Sequence, residues 1–103
     1  MDTLQQLQQW YTAQCDGDWE HQFGVHIETL DNPGWLVKID LAETALSGIS
    51  FPEVAEGLGD GDHPKQSQWI HCSVRDGVWR GAGDETELER LLTMFLEWAA
   101  KHA

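Results

Sequence analysis

The densest run of side chains capable of chemistry is Cys15–His21, in which a thiol, three carboxylates and an imidazole fall within seven residues. These groups are the ones that bind zinc in proteins. Zinc motifs, however, repeat paired Cys or His at short spacings, whereas His63, His71 and Cys72 are scattered along this chain. A calcium loop would need oxygen ligands at alternate positions up to a Glu at its twelfth residue, and the chain does not supply them. The run matches no metal-binding pattern.

Two interpretations of this run stay open. In the favoured one, Asp16-Gly17-Asp18 forms a helix-to-strand turn and His21 is a hydrogen-bonded histidine on the inner face of a sheet. The alternative is a small metal-binding protein or enzyme that uses the Cys15–His21 cluster together with His71. A regulatory domain that binds a small molecule is a third class, and it would retain its ligand through purification.

Other catalytic patterns in the chain are weak. A nucleophilic pair of Cys72 with His21 or His26 is conceivable, but the strand pattern places Cys72 on a core face, where thiols are usually inert. The run Gly57–Asp62 lacks the lysine of a phosphate-binding loop, and its acids would repel phosphate. Asp18 and Glu20 beside a turn are typical of a solvated surface. We predict no catalytic residue, no metal and no cofactor.

The charge of the chain is strongly negative. Eighteen acidic residues outnumber six basic ones, which gives a formal net charge of −12, and no Lys or Arg precedes Lys38. Phosphate binding needs clustered Lys and Arg, so the composition argues against nucleic acid and anionic membranes as partners. A negative field also speeds the approach of basic partners. Solubility alone is the other explanation of this charge.

Two candidate binding patches follow from the charge and from one outward-facing aromatic residue. Six acids lie in the first 37 residues, which should focus negative potential at both ends of the first strand. Trp69 is out of phase with its core-facing neighbours, so it is either an exposed anchor for a partner or a residue covered by the loop of residues 52–66. The candidate binding residues are Asp16, Asp18, Glu20 and Asp31, with Trp69, Asp60 and Asp62 as a second patch.

Helices are predicted at both ends of the chain. Asp2 or Thr3 can cap a first helix that carries apolar residues at helical spacing and stops near Cys15-Asp16-Gly17. Asp84 is the candidate N-cap of the last helix, with Glu85 and Glu87 in its first turn. The apolar stripe of that helix comprises Leu88, Leu91, Leu92, Phe95 and Ala99.

Between the helices the hydrophobic period changes to two, which predicts strands. One hairpin joins Trp19–Asp31 to Trp35–Leu41 through Asp31-Asn32-Pro33-Gly34. A second spans Gln68–Ala82 around Asp76-Gly77, with Arg75 opposite Val78 and Val74 opposite Trp79. Its core face is predicted to hold Ile70, Cys72, Val74, Trp79 and Gly81.

The segment between the hairpins gives weaker signals. Leu46–Phe51 is predicted to add a short strand that bridges the hairpins, and Pro52–Gln66 is predicted to be a mobile loop because it is rich in Gly, Pro and acids. The resulting fold is α+β: an antiparallel sheet of four to five strands in two hairpins, with an N-terminal and a C-terminal helix packed on one face. We expect residues 1–103 to form a single domain.

The cellular compartment is also predicted from composition. No stretch approaches the roughly 18 consecutive apolar residues of a membrane span. The first residues, Met1 to Gln6, show no basic and apolar regions of a secretory signal. Cys15 and Cys72 are too few and too distant to form a disulfide framework, so we expect two reduced thiols in a cytoplasmic protein.

A set of Trp, Gly, Pro and acidic positions distributed along the chain forms a recognisable pattern. It comprises Trp10-Tyr11, Gln14 to His21, Gly24-Val25, Ile27, Thr29 to Trp35 and Ile39 to Leu41, and then Trp69, Cys72 and Phe95 to Trp98. In this pattern the chain resembles the bacterial immunity protein 53 family. The similarity is densest in the first third and weaker from about Ser50 to Gln68, and it covers most of the 103 residues.

This resemblance implies a cytoplasmic antidote of a polymorphic toxin system. Such proteins bind a toxin domain and block or distort its active site, and they are not enzymes. The resemblance identifies neither the toxin nor the residues that contact it. Toxins that attack nucleic acid tend to be basic, and charge would steer an inhibitor of −12 toward such a partner.

Overall fold

Five antiparallel strands form one sheet, and a helix lies near each end of the chain, so the predicted α+β class is confirmed. The computed structural model describes residues 2–59 and 67–102. The helices are α1 (Thr3–Gln14), α2 (Trp19–Gln22) and α3 (Leu88–Lys101). The strands are β1 (Val25–Leu30), β2 (Gly34–Asp40), β3 (Val54–Glu56), β4 (Ile70–Arg75) and β5 (Val78–Gly83). Their order in the sheet is β1-β2-β5-β4-β3. In the part of the chain so described, no helix has the length and apolar character needed to cross a membrane.

The second hairpin has the predicted register. Arg75 pairs with Val78 and Val74 with Trp79, because Asp76 and Gly77 both take positive φ, of 55° and 76°. This conformation gives a two-residue turn whose twist matches the strands. The predicted core face is confirmed as well, since Ile70, Cys72 and Trp79 are wholly buried.

Helix α3 packs on the same face of the central strands. Val37 and Ile39 of β2 are wholly buried with Phe95 of α3, whose ring centroid lies 5.4 Å from that of Trp79. The predicted stripe of α3 thus forms the centre of the core. Helix α1 begins at its predicted cap, where the N–H of Gln5 donates to the carboxylate of Asp2 at 2.8 Å.

The predicted first strand is wrong in its first half. Trp19–Gln22 forms the short helix α2, and β1 begins only at Val25. The turn that precedes α2 is followed at once by a helical turn that starts at Trp19. The indole of Trp19 is buried, and its Nε1 donates to the carbonyl of Ala42 at 2.9 Å. His21 is therefore an exposed residue of α2 and not a histidine on the inner sheet face.

The predicted bridging strand at Leu46–Phe51 is also wrong. Strand β2 pairs directly with β5. Strand β3, which lies within the predicted loop of residues 52–66, pairs with β4 at the edge of the sheet. Turns occupy the region instead, where Glu43 and Gly48 have positive φ and Leu46 is buried. Residues 60–66 of the predicted loop lie outside the described residues.

Asp84 is not the N-cap of α3, so that prediction is wrong. Helix α3 begins at Leu88 with Glu87 at its N-cap, and Glu89 is the acid in its first turn. The buried carboxylate of Asp84 instead accepts from the N–H of Trp69 at 2.8 Å and from the N–H and hydroxyl of Thr86 at 2.9 and 2.6 Å. It thereby connects the start of β4 to the segment that enters α3.

Candidate functional site

The turn between α1 and α2 is built from two carboxylates and a glycine. Oδ1 of Asp16 accepts from the N–H groups of Asp18 and Trp19, both at 2.9 Å. The carboxylate of Glu20 reaches back to the N–H groups of Asp16 and Gly17, at 3.0 and 2.9 Å. Gly17 has a φ of 97°, which L side chains rarely adopt. Asp16 and Glu20 are thus acceptors that hold this turn closed.

Both carboxylates of this turn are stabilised in their charged form. The hydrogen bonds from the N–H groups of Trp19 and Asp18 lower the pKa of Asp16. The backbone N–H of Glu20 itself, followed by those of Asp16 and Gly17, lowers the pKa of Glu20 against the effect of burial. These two acids therefore stay negative through the physiological range and contribute to the acidic surface while they serve the turn.

Asp18 and Asp31 differ from this pair. Both are exposed, and their carboxylates accept no hydrogen bond from any residue that the structure describes. Asp31 lies in the turn after β1, whereas Asp18 lies before that strand. The six residues of β1 span roughly 20 Å at about 3.3 Å each. The predicted acidic residues are therefore divided along the chain, with Asp16, Asp18 and Glu20 before β1 and Asp31 alone after it.

Trp69 lies elsewhere, next to the start of β4. It is half-buried, and its backbone is fixed by Asp84, which accepts from its N–H and donates to its carbonyl at 3.2 Å. Gly57 approaches it so closely that an added Cβ would lie 3.1 Å from the Cβ of Trp69. The other two members of this predicted patch, Asp60 and Asp62, lie outside the described residues.

An apolar groove between α1 and β1 was not predicted from sequence. Its volume is about 280 Å³, and Leu7, Gln8 and Tyr11 of α1 line it together with Gly24 and Val25. Tyr11 is 38% exposed, and Ile27, next along the helix-facing side of β1, is 40% exposed. Ile27 alternates with Glu28 along β1 and shares the sheet face of Val25, and the position of β1 at the sheet edge leaves it open.

The described residues of the alternative, metal-based site do not lie close enough together to share a metal ion. Across residues 2–59 and 67–102, no group of three or more His, Cys, Asp or Glu side chains could share a metal ion. His71 lies on β4 with its Nε2 2.7 Å from Oε2 of Glu53. Cys72 is buried among apolar residues, and this burial raises the pKa of its thiol to about 12. Both cysteines are free.

The fold and this surface define a small α+β protein that presents carboxylates and an apolar groove along one edge of an antiparallel sheet. Residues 4–100 match the family model described as Immunity protein 53. Because this match covers nearly the whole chain, the protein belongs to the immunity protein 53 family. No curated protein and no solved structure matches the chain.

Proposed function

We propose that this protein neutralises a cognate bacterial toxin domain by stoichiometric binding in the cytoplasm of the cell that produces the toxin. It acts as a binding protein and not as an enzyme, and it needs no metal or cofactor for this role. The proposal is supported by membership of an immunity protein family and by the accessible acids before and after β1. The proposed contacts are Asp16, Asp18, Glu20 and Asp31, with Trp69, Asp60 and Asp62 as a second patch.

Charge segregation is the observation that carries the proposal. Residues 2–37 supply α1, α2 and β1 and contain six acids and no Lys or Arg. Three of the six basic residues, Lys38, Arg75 and Arg80, alternate with core residues and lie on the sheet face opposite the helices. The β1 edge is therefore the part of the described molecule best suited to attract a basic toxin.

The direct test takes as the candidate toxin the variable C-terminal domain of any secreted protein encoded next to this gene. We expect its toxicity to be suppressed by co-expression of this protein, and the purified proteins to form a complex of one to one in titration calorimetry. Because steering by charge is screened by salt, association should slow as ionic strength rises. Full toxicity in the presence of folded, soluble protein, or no measurable complex, would reject the proposal.

A further inference from the structure

We propose that the toxin binds by adding a basic extended segment as a sixth strand to the free edge of β1, with apolar side chains of that segment in the groove between β1 and α1. This inference rests on the proposed function and specifies how that surface would meet its partner. An edge strand offers unpaired N–H and C=O groups to an incoming strand, and neighbouring grooves then select its side chains.

The hydrogen-bond pattern shows which groups of β1 are free. The N–H of Asp40 donates to the carbonyl of Gly24 at 3.1 Å, which makes this a hydrogen-bonded pair. Bonded and non-bonded pairs alternate along an antiparallel ladder. Val25, Ile27 and Thr29 are therefore in non-bonded pairs with β2, and their N–H and C=O groups point away from the sheet. Nothing in the described part of the chain bonds to these groups.

The opposite edge of the sheet is less suitable. Strand β3 has only three residues, follows Pro52 and ends at Glu56, whose carboxylate is held by Arg90 at 2.9 and 3.0 Å. Short strands, proline and charge are the usual means by which sheet edges avoid pairing. Strand β1 has six residues and no proline. Of the two edges, β1 is the one that can accept a full strand.

The side chains around β1 complete a strand-binding site. Residues of an added strand would alternate between the two sheet faces, as those of β1 do. On the helix-facing side they would meet Ile27 and the groove that Leu7, Tyr11 and Val25 line. Burying the exposed side chains of Tyr11 and Ile27 favours Val, Ile, Leu or an aromatic residue at every second position of the segment.

Charge selects the occupant. Asp31 follows β1 directly, and Asp18 lies in the turn that precedes α2 and β1. Glu28 lies on β1 itself, on the opposite sheet face, with Lys38 Nζ at 3.9 Å. A second copy of this chain would bring the same acids against each other, which disfavours pairing of two β1 edges. A segment that carries Lys or Arg at its ends would instead be attracted, so the occupant is a basic strand of the toxin.

Two variants with a matched control test this mode. Thr29→Pro removes one outward N–H while the bonds from β1 to β2 stay intact, because proline is tolerated at that side of an edge strand. Ile27→Lys places a cation and removes an apolar contact at the centre of the edge. Ala13→Lys adds the same charge at an exposed position of α1 outside the groove. Affinity for the toxin is measured by calorimetry, and folding of each variant by circular dichroism.

We expect Thr29→Pro and Ile27→Lys each to weaken binding by roughly tenfold or more, and Ala13→Lys to have a smaller effect. In the wild-type complex, exchange of the Val25, Ile27 and Thr29 amides should slow at least about tenfold. This second readout decides the matter if a variant does not fold.

Wild-type binding without amide protection, with both variants binding normally, would overturn strand addition while leaving toxin binding intact. Absence of any wild-type complex would reject both proposals. A dimer of the free protein that Ile27→Lys dissociates would identify a second copy as the occupant and overturn the inference.

Discussion

Asp16, Asp18 and Glu20 lie within five residues, yet the structure gives them different roles. Asp16 and Glu20 accept backbone hydrogen bonds that close the α1–α2 turn, whereas the carboxylate of Asp18 is directed to solvent and has no such bonds among the described residues. The acids of this turn therefore differ in role: Asp16 and Glu20 stabilise the turn, whereas Asp18 contributes only its charge. Substitutions can separate them, because only Asp18 can lose its charge without loss of the turn.

Asp18→Lys and Asp16→Lys should consequently have different effects. We expect Asp18→Lys to leave the melting temperature nearly unchanged and to slow association with the toxin, with a weaker dependence on salt. Asp16→Lys should lower the melting temperature, because two backbone N–H groups lose their acceptor. Stopped-flow association rates at several salt concentrations and thermal melts measure both effects. Equal association rates for Asp18→Lys and wild type would show that this acid does not steer the partner.

At the scale of secondary-structure elements, Asp84 connects parts of the chain that are distant in sequence. Its carboxylate joins Trp69, before β4, to Thr86, before α3, and it is only 2% exposed. Hydrogen bonds to a charged, buried acceptor are among the stronger ones in proteins. This contact therefore fixes the end of the sheet next to the candidate residue Trp69.

Asp84→Ala is expected to reduce the free energy of unfolding by about 3 kcal/mol, because it leaves two backbone N–H groups and a hydroxyl without their acceptor. Urea denaturation followed by tryptophan fluorescence measures the change. Glu85→Ala is the matched control, since that side chain is exposed, and it should change stability by less than about 0.5 kcal/mol. A small effect of Asp84→Ala would mean that water replaces the carboxylate at this position.

At the scale of the whole molecule, charge is divided between two surfaces. The β1 edge carries acids, whereas Lys38, Arg75 and Arg80 lie on the sheet face away from the helices. Lys38 and Arg80 are directly opposite each other, and within residues 2–59 and 67–102 the one ion pair that either forms joins Lys38 Nζ to Glu28 at 3.9 Å. A molecule with a net charge of −12 is thus electrically asymmetric, which favours one orientation of approach by a basic partner.

The pH dependence of stability follows from the buried carboxylate. Burial acts to raise the pKa of Asp84, but the bonds from Thr86 and Trp69 outweigh it and lower the pKa below its ordinary value of 3.8. A lowered pKa in the folded state gives stability that is fully present above the ordinary value and is lost as pH falls through the folded value. Acid also relieves repulsion among the other carboxylates, which acts in the opposite direction.

A comparison of wild type with Asp84→Asn isolates this contribution. We expect the wild-type melting temperature to fall more steeply than that of Asp84→Asn as pH is lowered from about 5 to about 3. Asp84→Asn is uncharged at every pH, so the difference between the two proteins reports the titration of Asp84 alone. A constant difference between the melting temperatures of wild type and Asp84→Asn over this pH range would show that Asp84 does not titrate there.

Local patterns in the sequence determined much of this fold. The Asp76-Gly77 turn predicted the register of the second hairpin, because a two-residue loop with positive φ allows one pairing, and the apolar stripe of α3 predicted the helix at the centre of the core. Composition and the family resemblance indicated an acidic immunity protein.

Only the tertiary structure decided the rest. The buried packing of Trp19 made Trp19–Gln22 helical despite its strand-like alternation, and the order of strands placed Ile27 at an open edge. Hydrogen bonds that cross the turn gave Asp16 and Glu20 a structural role that their spacing does not reveal. Periodicity indicates which side chains share a face of a helix or strand. Which other element of the chain covers that face is determined by long-range packing.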